Sequence, residues 1–69
     1  MKKLLIYKED GEFIIERVNE FGTGFKNHFK TVDGLLGRLD IYQRTNKLEE
    51  YQLDVSEDLR ANVINLLNE

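Results

Sequence analysis

Leu4, Leu5, Ile6 and Tyr7 form one apolar cluster and Phe13, Ile14 and Ile15 a second, with Asp10-Gly11 midway between them. That pair readily takes the positive φ angles a type I′ turn demands of both central residues, so residues 2–8 and 12–18 are predicted to form a β-hairpin. With Asp10-Gly11 as the loop, Glu9 faces Glu12, Tyr7 faces Ile14, Ile6 faces Ile15 and Leu5 faces Glu16. Leu4, Ile6, Phe13 and Ile15 then share one face, and Leu5, Tyr7, Ile14 and Val18 share the other. A single-layer sheet has one greasy face and one wet one, whereas this ribbon is apolar on both. The second face is therefore covered by the rest of the chain or offered to another molecule, and Leu5, Tyr7, Ile14 and Val18 are the residues expected to mediate self-association.

Further along, Val32, Leu35, Leu36, Leu39 and Tyr42 recur at three- and four-residue spacing, which predicts a helix over 32–43. Thr31 is placed to cap its first amides and Asp33 suits the positive end of its dipole. Gly34 and Gly37 each cost roughly 0.5–1 kcal/mol in a helix interior, so they imply close packing on a neighbour or a less regular segment. Asn46 and Lys47 read as a turn. Tyr51, Leu53 and Val55 then alternate with Glu50, Gln52 and Asp54 as in a strand with one wet face, with Leu48 as a candidate start. Ser56, followed by Glu57 and Asp58, reads as a helix cap with an acidic first turn. Leu59, Val63, Leu66 and Leu67 form one stripe of a helix over 57–68. The expected fold class is α+β, a small antiparallel sheet in ββαβα order with two helices packed on one face and an extra short strand at 24–30.

Residues 21–30, Phe-Gly-Thr-Gly-Phe-Lys-Asn-His-Phe-Lys, concentrate three of the seven aromatics, the one histidine and two lysines. As a strand, 24–30 would turn Phe25, Asn27 and Phe29 one way and Lys26, His28 and Lys30 the other, a cationic stripe able to hold phosphates. Phe21, Phe25, Phe29 and Val32 also fit one helical row, and three regularly spaced phenylalanines are first of all expected to be core anchors. Gly22-Thr23-Gly24 lacks the longer spacing and the Lys-Ser/Thr pair of a phosphate loop, and is expected to act as a flexible joint.

Composition narrows the chemistry. The 69 residues contain no cysteine and no proline, which removes disulfides, thiol nucleophiles and zinc knuckles and argues for one continuous domain over 1–69. At this length ordering entropy nearly cancels what one small core returns, so self-association or a partner is expected. The N-terminal apolar run is only four residues before Lys8, too short for a signal core or a membrane span, and a cytoplasmic setting is the default. His28 is the one side chain with an unperturbed pKa near neutrality, and it has no orienting partner in the sequence. Catalysis, a cofactor and a metal site are accordingly not expected.

Net charge is −3 and unevenly spread. Residues 1–31 carry six basic groups against five acidic; residues 32–69 carry four against eight, leaving that half at −4. The chain thus lacks a global positive field, and its acidic half favours a basic partner. Its size and acidity resemble those of small inhibitor proteins of phages and mobile elements, a likeness that carries no site by analogy. The expected function is a noncatalytic interaction module, an inhibitor or accessory factor, binding a basic protein partner through Phe25, Lys26, His28, Lys30, Glu49, Glu50 and Asp54, and forming a homo-oligomer. The alternative is a nucleotide- or nucleic-acid-binding domain that uses the basic and aromatic residues of 25–30.

Overall fold

A computed structural model describes residues 2–68. In chain order they form β1 (Lys2–Glu9), β2 (Glu12–Val18), β3 (Gly24–Phe29), α1 (Val32–Arg44), a short 3-10 turn (Lys47–Glu50), β4 (Tyr51–Val55) and α2 (Glu57–Leu67). The α+β class and the two-layer arrangement are as expected. The hairpin forms in the register read from its turn: Glu9 pairs with Glu12, Tyr7 with Ile14, Ile6 with Ile15 and Leu5 with Glu16. Asp10 and Gly11 take φ of 52° and 80°, the left-handed pair that lets the turn follow the twist of its strands.

β3 adds antiparallel to β2. β4 corrects the expected all-antiparallel sheet, because it pairs in parallel with β1, Leu4 beside Leu53 and Ile6 beside Val55. The sheet is therefore mixed, in the order β3-β2-β1-β4. The direction follows from connectivity. β1 and β3 run one way, α1 carries the chain back, and the next strand must run with β1. β1 thus lies inside the sheet, which accounts for its uninterrupted apolar run.

Leu4, Ile6 and Ile15 project from the sheet into one buried cluster with Leu35, Leu39 and Tyr42 of α1 and Leu59 and Val63 of α2. Each such side chain contributes about 1.5–3 kcal/mol by leaving water. Both helices lie on this face, as the spacing implied. Thr31 caps α1, its Oγ1 accepting from the Gly34 amide at 3.1 Å. Ser56 occupies the cap position of α2 but makes no side-chain bond to a helix amide; its hydroxyl donates instead to Asp58 Oδ1 at 2.7 Å. Leu48, Glu49 and Glu50 belong to the 3-10 turn and not to β4, which begins at Tyr51. Met1 and Glu69 lie outside the described residues.

Candidate interaction surfaces

The second face of the sheet has no helix over it. The register places Leu5, Tyr7, Ile14 and Val18 there with Lys3, Glu9, Glu12, Glu16, Lys26, His28, Gln52 and Asp54. The four residues assigned to self-association are thus brought together, but they are better shielded than a bare apolar face would be. Ile14 is only 2 % exposed, and Leu5, Tyr7 and Val18 are half-buried. Charged neighbours supply the shielding. The Tyr7 hydroxyl donates to Glu16 Oε1 at 2.8 Å. Lys26 Nζ stands 3.8 Å from Glu9 Oε2, and His28 Nδ1 3.6 Å from Glu12 Oε1. Partial burial, then the Glu16 carboxylate, push the Tyr7 phenol above its ordinary pKa. The Tyr7 hydroxyl and then Glu9 push the Lys26 ammonium up as well. Lys26 and His28 therefore form a stripe, as a strand over 24–30 implied, yet each already faces a carboxylate.

The remaining expected contact residues scatter. Asp54 borders the open face beside Leu5. Glu49 and Glu50 lie on the exposed 3-10 turn, where Glu50 meets Lys2 Nζ at 3.5 Å. Lys30 is exposed just beyond β3, and Phe25 projects from β3 toward the helix side, away from Lys26 and His28. The expectation that Phe21, Phe25 and Phe29 anchor the core holds for Phe29, which packs against the buried cluster, and fails for the others. Phe21 is 90 % exposed and Phe25 64 %. Phe21 sits in a loop that Asn19 closes, its Oδ1 accepting from the amides of Phe21 and Thr23 at 2.9 and 3.1 Å. With those amides occupied and Gly22 at a φ of 84°, the Gly22-Thr23-Gly24 segment has the geometry of a joint.

Two features were not legible beforehand. Arg17 lies over the Phe25 ring with its carbon Cζ 5.9 Å from the centroid, and Arg38 lies over Phe29 at 5.8 Å. Arg17 Nε and Asn27 Nδ2, both on the helix side of β2 and β3, are buried without an acceptor. Cross-strand alignment of Arg17 with Phe25 was the available signal, but it required the β2–β3 register. A hollow of about 200 Å³ lined by Leu5, Ile6, Tyr7, Asp54 and Ser56 lies at the end of β4, smaller than the roughly 300–1,000 Å³ of a small-molecule cleft. Among the described residues no group of three or more His, Asp or Glu side chains is placed to hold a metal ion, and no helix is long and apolar enough to cross a membrane. No family model, curated protein or solved structure matches the chain.

Proposed function

We propose that this chain is a small noncatalytic interaction module that presents the uncovered face of its sheet to other protein surfaces, a second copy of itself included. The observation that carries this reading is the apolar centre formed by the half-buried Leu5, Tyr7 and Val18 around the buried Ile14, within a charged frame on a face that no helix covers. Asp54 at the border of the face, with Glu49 and Glu50 on the neighbouring turn, supports a basic protein as the further partner.

Size-exclusion chromatography with light scattering tests self-association. A concentration-dependent dimer at about 100 µM is expected, together with a monomeric but folded Leu5→Lys variant. A strict monomer at that concentration overturns it. Nucleic-acid binding through 25–30 is the weaker reading, since Lys26 and His28 face Glu9 and Glu12 while Phe25 points to the other side. Binding to single strands at low salt that falls steeply as salt rises would restore it.

A further inference from the structure

On the helix side, β3 and the flank of α1 form a strip whose unpartnered polar atoms are donors. Phe29 sits under α1 so closely that a Cβ on Gly34 would stand 3.6 Å from its Cδ1. Arg38, one turn on, lies over the same ring. Phe25 stands four residues before Phe29, about 13 Å along the strand, with Arg17 over it. Asn27 lies between them on the same face. Among the described residues neither Arg17 nor Arg38 makes an ion pair, while Asp40 on the same helix is engaged by Arg44 at 3.0 Å.

Buried N–H groups without acceptors are costly and rare in native proteins, and Arg17 Nε and Asn27 Nδ2 have no acceptor within the chain. A guanidinium that stands over a ring and makes no ion pair keeps N–H groups for a carboxylate. The half-covered Phe25 and the exposed Ile41, one turn beyond Arg38, supply apolar surface to either side. We propose that this strip binds an extended acidic segment of another protein, with two carboxylates about four residues apart received by Arg17 and Arg38 and an apolar side chain between them. A polyphosphate, with denser charge than two spaced carboxylates, is repelled more strongly by Asp33 and Asp40 of α1 and by the net charge of −3. This surface lies on the opposite side of the sheet from the proposed self-association face, so the two readings stand or fall separately.

The test uses the 15N-labelled full chain and two peptides, acetyl-Asp-Ser-Phe-Ser-Asp-amide and its counterpart with Asn at both acidic positions. Side-chain N–H resonances of Arg17 and Asn27 report the site directly. Saturable shifts of both are expected, with the acidic peptide binding at least roughly tenfold more tightly than its amide counterpart. Arg17→Lys and Arg38→Lys keep the charge but lose the fork, and each is expected to weaken binding severalfold. The second variant is at an exposed position and guards against a folding effect of the first. Equal binding of the two peptides, no shift up to about 10 mM, shifts centred on Tyr7 and Ile14, or tighter binding of oligothymidylate to the same resonances would each overturn the proposal.

Discussion

The Tyr7 hydroxyl, set among apolar neighbours on the open face, is satisfied by Glu16 and stands beside Lys26. Tyr7→Phe is expected to cost about 0.5–1.5 kcal/mol in urea denaturation at neutral pH, because it leaves Glu16 without its donor. Alkaline pH probes the same group. Since the folded state holds the phenol above its ordinary 10.0, it favours the neutral form, and that contribution is complete below pH 10 and lost as pH rises through the folded value. Lys26, raised above 10.5, acts in the same sense, favouring the protonated form until pH exceeds its folded value. Stability should therefore hold up to about pH 9 and decline beyond about pH 10, less steeply in Tyr7→Phe. A parallel pH dependence of the two proteins would remove Tyr7 from the account.

The two helix starts separate residue type from geometry. Thr31 and Ser56 both belong to the residue class that caps helices, yet only Thr31 accepts from an amide, whereas Ser56 donates to Asp58. Thr31→Ala is expected to lower unfolding free energy by about 1 kcal/mol and Ser56→Ala by clearly less. Chemical denaturation of the pair decides whether the caps differ as drawn. Gly37 is helical with nothing within 4 Å of where a Cβ would stand, so Gly37→Ala should stabilise by about 0.5–1 kcal/mol and raise the melting temperature. At this scale the sequence was most readable where the code is local. Asp10-Gly11 set the hairpin register, and three- and four-residue spacing located both helices. The 3-10 turn at Lys47–Glu50 left no such trace, because four residues are too few to show a period, and Leu48 was drawn into the strand beside it.

For the whole molecule, Leu35 and Leu39 are fully buried between the sheet and α2. Leu35→Ala is expected to cost about 2–5 kcal/mol, a large share of the roughly 5–15 kcal/mol that holds a typical domain together, and calorimetry should find the variant largely unfolded at physiological temperature. What escaped the sequence at this scale was nonlocal. Nothing in Tyr51–Val55 announces a parallel neighbour 49 residues upstream. Aromatic spacing at Phe21 and Phe25 likewise says nothing about whether a helix arrives to cover the rings. The interaction surfaces were half legible for the same reason. Alternation assigned Leu5, Tyr7, Ile14 and Val18 to one face, but the carboxylates that answer Lys26 and His28 come from strands whose pairing had first to be known.

The parallel pairing of β1 with β4 has a further consequence for how the chain is born. Leu4 and Ile6 are synthesised well before β4 and the α2 residues Leu59 and Val63 that complete their surroundings. Such a long-range closure is slow to form, and the growing polypeptide cannot complete this sheet while β4 and α2 are still in the exit tunnel. Translation stalled before β4 should accordingly yield a species with a sticky inner strand, one that chaperones would bind and proteases would cut.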